Sequence, residues 1–148
     1  LETCRSRSLT ISTAESCTGG MLASSIVHNP GSSQIFEQGL ITYSNLSKHK
    51  ELNIPLETIN KNGAVSKQVA EEMLKGLLDK TKSNIGISTT GIAGPDGGTS
   101  KKPVGLIWIS VGNNINYNTT KLFLNGSRLK IRLETTLKSL ELINEFLK

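Results

Sequence analysis

Strand-like and helix-like segments alternate along this sequence of 148 residues, which predicts a three-layer α/β/α domain whose mixed sheet is largely buried between helices. Three observations carry that expectation. Short β-branched or alternating runs are separated by stretches whose apolar residues recur three or four apart. No internal repeat or low-complexity linker breaks the alternation. The length suits one domain of about 100–150 residues, and 36% apolar with 20% charged residues can close a core without the excess charge of a disordered tail.

Ser8 to Ala14 alternates β-branched and small residues and is expected to be a strand ending in a turn at Glu15-Ser16-Cys17. A helix can follow from Thr18 through Met21, Leu22, Ser25 and Ile26, until Asn29-Pro30-Gly31 breaks it. Gly39 to Tyr43 reads as a second short strand, and Ser44 or Asn45 can cap a helix through Lys48 to Leu52. Ser66 caps a stronger helix, with Val69, Met73, Leu74, Leu77 and Leu78 on one stripe. Asn84 to Thr90 is strand-like and runs into a glycine-rich loop, Gly91 to Gly98. Val104 to Val111 is the most apolar strand, and Asn118 to Leu124 can pair with it across Asn113-Asn114. Ser127 begins a last helix with Leu129, Leu133, Leu137, Leu140, Ile143 and Leu147 three or four apart.

Composition excludes several classes of function. Two cysteines, Cys4 and Cys17, cannot make the disulfide framework of a small secreted domain, and with two histidines no zinc-ligand spacing exists, so neither metal nor other cofactor is expected. The net charge of +5 could signal nucleic acid, but the lysines are scattered. One Trp, two Tyr and three Phe do not interleave with an arginine stripe, so nucleic acid is argued against; a small anionic substrate suits the charge, and solubility alone explains it about as well. No apolar run approaches the roughly 18–20 residues that cross a bilayer, and a cytoplasmic protein is the default expectation. It should fold alone or as a small oligomer, with a homo-oligomer the expected assembly.

In α/β folds sites collect at the carboxyl ends of strands, and two stretches fall there: Glu15 to Gly20 and Thr90 to Gly98. The first places Ser16 at a strand-to-helix turn, with Gly19 and Gly20 in the first helical turn, where free amides could serve as oxyanion donors. The same residues would also make an ordinary helix cap. The second stretch is no Walker loop, because no Gly-Lys-Ser/Thr follows; it can aim amides at a phosphate or ribose, or be a structural loop rich in positive φ. Arg128, in the first turn of the last helix, opposes the helix dipole unless an anion lies near, or is simply solvated.

Thr13 to Gly20, Gly31-Ser32-Ser33, Tyr43-Ser44-Asn45 with Lys48, Gly63 to Ser66, Thr90 to Gly98 and Lys102 to Gly105 occur in the order seen in the CinA C-terminal domain family, which this chain resembles over nearly its whole length. Members of that family of competence/damage-inducible proteins include nicotinamide-nucleotide amidohydrolases. The resemblance implies hydrolysis of the carboxamide of nicotinamide mononucleotide to nicotinate mononucleotide and ammonia. It carries the nucleophile to Ser16, the lysine base to Lys48, the assisting tyrosine to Tyr43 and a substrate-binding arginine to Arg128. Thr18, Gly19, Gly20, Asn45, Thr90, Gly91 and Gly94, all within the matching blocks, are the further expected substrate-binding residues. Two departures stand out: Ser127 replaces the family's usual acidic residue before the arginine, and the family's usual leading helix is expected to be missing.

The chemistry is coherent on its own terms. A serine hydroxyl needs a base to attack an amide, and a neutral lysine can be one where burial or nearby cations lower its pKa. Lys48 would take the Ser16 proton directly or through Tyr43, then return it to the leaving ammonia. Cys17 is a competing nucleophile by intrinsic reactivity, and otherwise a small buried hydrophobe. His49 is a competing base, whereas His28, Glu15 and Asp96 read as turn or scaffold residues, of which Glu15 or Asp96 could orient the site. Since domains of this family occur fused to a nucleotide pyrophosphatase, a catalytically silent nucleotide-binding or protein-interaction module linked to competence and DNA damage is the alternative.

Overall fold

The computed structural model describes residues 2–148. Glu2–Ser6 form a single helical turn, α1, where no helix was expected; its Cys4 is fully buried. The chain then runs β1 (Ile11–Glu15), α2 (Met21–Val27), a 3₁₀ turn (Ser32–Gln34), β2 (Phe36–Ile41), α3 (Asn45–Leu52), α4 (Leu56–Asn62), α5 (Lys67–Thr81), β3 (Ile85–Gly91), β4 (Leu106–Gly112), β5 (Tyr117–Phe123) and α6 (Arg128–Phe146). The five strands form one sheet in the order β2-β1-β3-β4-β5. β1 is parallel to β2 and β3, whereas β4 is antiparallel to both β3 and β5, so the sheet is mixed.

Alternation along the strands assigns the two faces. Ile11, Ile85, Ile87, Ile107, Ile109 and Val111 pack with Leu22 and Ile26 of α2 and Ile131 and Ile143 of α6. Ala14 packs on the other face with Leu52 and Ile59 of α3 and α4, and with Val69, Met73 and Leu77 of α5. The three layers expected from the sequence are therefore present. The central strands β1 and β3 are buried along their length, whereas the edge strands β2 and β5 are half open.

Several boundaries differ from expectation for identifiable reasons. α2 begins at Met21 and not at Thr18, because Gly19 and Gly20 both take left-handed backbone, with φ of 58° and 95°, and turn the chain before the helix starts. α4 was not expected, since its one buried apolar side chain, Ile59, makes no stripe that a pattern could detect. β2 starts three residues earlier than its short alternation suggested. In α6 the stripe of leucines divides: Leu129, Leu133 and Leu137 are exposed, and the buried face is Ile131, Thr135, Thr136, Ser139 and Ile143. The buried hydroxyls of Thr135, Thr136 and Ser139 bond to carbonyls of the preceding turn, so small polar residues fill the seam against the sheet at little cost.

After β1 the chain moves one way to β2 across one face, then returns across the other face to β3 on the opposite side of β1. The carboxyl ends of β1 and β3 thus flank a topological switch point, where α/β folds open a crevice. Ser16 immediately follows β1 at that point.

Candidate active site

Ser16 and Thr42 extend the two parallel ladders by one bond each. The Ser16 amide donates to the Thr89 carbonyl at 2.9 Å, and the Thr42 amide donates to the Glu15 carbonyl at 2.9 Å. Both residues are therefore held by the sheet, not by a loose loop. Ser44 then caps α3, its hydroxyl accepting from the Ser47 amide, and one turn later Lys48 points inward. Only 1% of Lys48 is exposed.

The Lys48 Nζ lies 3.0 Å from Ser16 Oγ, 2.8 Å from the Thr42 carbonyl and 3.1 Å from the Tyr43 carbonyl. Three acceptors surround the amine: two N–H bonds go to the carbonyls, and the third position faces the Ser16 oxygen, which takes an N–H from the ammonium and can give its proton to the lone pair of the neutral amine. No carboxylate contacts the nitrogen. Burial disfavours the ammonium and pushes the Lys48 pKa down to about 8, against a smaller opposing influence from Cys17. Burial has the contrary effect on the neighbouring thiol, whose pKa is pushed up to about 12. Cys17, 5% exposed and packed in the core of the α2/α6 face, is thus a thiol and not a thiolate near neutral pH.

A cavity of about 170 Å³ opens over this pair. The structure brings Ser16, Tyr43, Lys48, Thr90, Gly91 and Arg128 together on its walls, along with Cys17, Ala64, Val65 and Ala93. The Tyr43 phenol does not reach inward; it accepts from Arg128 Nη2 at 3.0 Å, and the guanidinium is fixed from its other side by the Gly94 carbonyl at 2.8 Å. Tyr43 and Arg128 make a charged rim. Ser127, in place of an acidic residue, caps α6 by accepting from the Lys130 amide.

Thr18, Gly19, Gly20, Asn45 and Gly94 are not among the cavity walls. Thr18 is fully buried and its hydroxyl pairs with Thr89 at 2.8 Å. Gly20 gives its amide to Glu15, Asn45 is exposed at the start of α3, and Gly94 acts through its carbonyl on Arg128. The expectation that the α2 amides are free oxyanion donors is corrected by Glu15. Its carboxylate, 1% exposed, accepts from the amides of Gly20, Leu22 and Ala23 at 2.9, 3.1 and 2.8 Å. An intramolecular anion already occupies the positive end of α2. His49 is turned away, its ring bonded to the Ile54 carbonyl, and Asp96 lies in an exposed loop.

Two cations that shape the site were missed in the sequence. Arg132 of α6 donates to the Cys17 and Thr18 carbonyls at 3.1 and 2.8 Å, pinning the turn that carries Ser16. Lys102 donates to the Asn62 and Val65 carbonyls at 2.6 and 2.7 Å and holds the loop whose Ala64 and Val65 wall the cavity. Arg132 lies one helical turn past Arg128, so the two share a face of α6, which is the signal that could have marked it. Lys102 stood within a matching block but had no recognisable chemical partner in sequence.

Among the described residues no group of three His, Cys, Asp or Glu is placed to hold a metal ion, and no helix is long and apolar enough to cross a membrane. The profile of the CinA C-terminal domain matches residues 1–147. Proteins named as competence-damage inducible from Clostridium novyi and Clostridioides difficile are each 50% identical, over 90% and 94% of this chain. The chain spans about a third of the length of these curated relatives, 32% in both cases. The crystal structure of the competence/damage inducible protein CihA from Agrobacterium tumefaciens superposes with a TM-score of 0.95 at 36% identity, covering 97% of this chain and 88% of that one. The competence damage-inducible protein A from Klebsiella pneumoniae superposes at 0.94 with 28% identity, covering 97% and 89%. Sequence blocks, sheet order and neighbours agree, and the chain belongs to the CinA C-terminal domain family.

Proposed function

We propose that the chain hydrolyses the carboxamide of nicotinamide mononucleotide to nicotinate mononucleotide and ammonia, with Ser16 as nucleophile and Lys48 as base. The observation that carries this reading is the 3.0 Å contact between Lys48 Nζ and Ser16 Oγ, with the amine's other two partners both carbonyls. Ser16 Oγ attacks the carboxamide carbon as its proton passes to Lys48. The Lys48 ammonium then stands beside the tetrahedral oxyanion and supplies the proton with which the C–N bond breaks and ammonia leaves. Water, deprotonated by the same amine, cleaves the acyl ester and regenerates the serine. The positive pyridinium ring of the substrate further disfavours a charged lysine.

The proton route is direct, since the Tyr43 phenol is bonded to Arg128 and only its backbone carbonyl touches Lys48. Tyr43 acts by positioning the amine and the rim arginine. Arg128, at the mouth, is the group suited to the substrate phosphate. Ammonia release from nicotinamide mononucleotide by the purified chain is the test. Ser16→Ala should lower turnover by roughly 10³-fold or more, and Cys17→Ala should retain most of it. No ammonia from the unaltered chain, or the reverse order of the two variants, would overturn the reading.

A further inference from the structure

Val65 walls the reaction cavity on one side and, on its other, a second and wider groove of about 440 Å³. No carboxylate lines that groove; Lys67, Lys101, Lys102 and Lys121 do, with Trp108 as its broad apolar wall. It opens at the N-terminus of α5, a helix of 15 residues whose Ser66 cap takes the Val69 amide and whose geometry leaves the Lys67 and Gln68 amides without intrahelical acceptors. A lysine in the first turn opposes the helix dipole, and an anion bound there would relieve both charges at once. Among the described residues the Lys67 ammonium has one carboxylate partner, Glu71, at the long distance of 3.7 Å. Lys102 is committed to the Asn62 and Val65 carbonyls. Among the described residues Lys121 has no acid partner, and it lies over two rings instead, 5.6 Å from the centre of Trp108 and 4.8 Å from that of Phe123. The groove thus holds Lys67 and Lys101 together with an indole that Lys121 covers, which supplies charge for phosphates and a flat surface for stacking once Lys121 moves aside.

We propose that this groove binds a nucleoside diphosphate, its phosphates between Lys67, Lys101 and the first amides of α5 and its base against Trp108, with the Lys121 ammonium moving from the ring toward the phosphates. This second site goes beyond the hydrolysis at Ser16 and does not depend on it. The shared wall at Val65 sets the bound nucleotide beside the reaction cavity, so its occupancy would be felt at the loop over Ser16.

Trp108 is the chain's one tryptophan, so its fluorescence reads this groove alone. Titration with ADP should give a saturable change. Adenosine and inorganic pyrophosphate, each lacking half of the recognised chemistry, should bind at least about tenfold more weakly, and the double variant Lys67→Ala/Lys101→Ala should lose about tenfold or more for ADP. Both lysines are exposed, so the double variant should keep the circular dichroism of the unaltered chain. Ser16→Ala should bind ADP as the unaltered chain does, which separates failure of this site from failure of the amide chemistry. A linear, unsaturable quench, an unchanged response in the double variant, or a single-stranded oligonucleotide binding about a hundredfold more tightly than ADP would each overturn the proposal, the last by making the groove a nucleic-acid surface.

Discussion

At the scale of single residues, Lys48 decides what this site can do. A buried amine facing two carbonyls and a hydroxyl has no anion to hold its proton, so burial dominates and its pKa falls from about 10.5 to about 8. The neutral amine is scarce below that value and abundant above it. On the proposed mechanism kcat/KM should therefore climb about tenfold per pH unit below about 8 and level off above it. Lys48→Arg, which cannot deprotonate in this range, should be nearly as inactive as Lys48→Ala, and His49→Ala should leave the profile unchanged. A flat profile from pH 6.5 to 9, or a near-normal rate for Lys48→Arg, would mean that position 48 supplies positive charge only. Glu15 shows how neighbouring residue types differ in use: the carboxylate beside the serine is taken up by the α2 amides, and in the proposed mechanism proton transfer falls to the lysine.

At the scale of elements, the site depends on how closely α3 approaches α5. Gly76 of α5 lies against the end of α3, and a β-carbon there would stand 2.1 Å from the Leu52 carbonyl oxygen. In an exposed helix Gly→Ala would stabilise by about 1 kcal/mol. Here the contact reverses the sign: Gly76→Ala should destabilise by about 1–3 kcal/mol, seen as a lower urea midpoint. It should also lower kcat, because the displaced helix carries Lys48 one turn before Leu52 and misplacement by about 1 Å can cost a hundredfold. Unchanged urea midpoint and rate would show that α3 position is not what sets the Lys48–Ser16 distance. α6 serves the site differently, sending Arg128 to the rim and Arg132 to the Cys17–Thr18 turn from one face.

Across the whole molecule, order is concentrated at the centre of the sheet. β1 and β3 are paired on both sides and buried, and Ser16 continues their ladder, so the proposed nucleophile stands on the best-braced part of the sheet. Amide hydrogen exchange should be slowest in β1 and β3 and markedly faster in the outward-facing amides of the edge strands β2 and β5. Protection of β5 equal to that of β3 would instead show its open edge covered by another chain, the homo-oligomer that the sequence led us to expect. The exposed Leu129, Leu133 and Leu137 of α6 show why apolar spacing alone misjudges a surface: period reports a stripe, and only packing says which stripe faces the sheet.

The sequence by itself determined the alternation of strands and helices, the cap at Ser66, the narrowing of the α3 cap to Ser44 or Asn45, the start of the last helix at Ser127 and the placing of Ser16 at a strand end, because each of these rests on local backbone preference and short-range periodicity. It also contained Tyr43, Lys48, Thr90 and Gly91 in recognisable blocks and Arg128 in the first turn of the last helix, though nothing local distinguished Lys48 from a solvated helix lysine. Tertiary structure alone decided that Lys48 is buried against Ser16, that burial pushes the Cys17 thiol pKa up to about 12, that Glu15 and not a ligand holds the α2 amides, and that Thr18, Gly19, Gly20 and Asn45 are not among the cavity walls. Those outcomes follow from desolvation and from partners distant in sequence, such as Lys48 and Ser16 at 32 residues and Arg132 and Cys17 at 115, which no local pattern encodes.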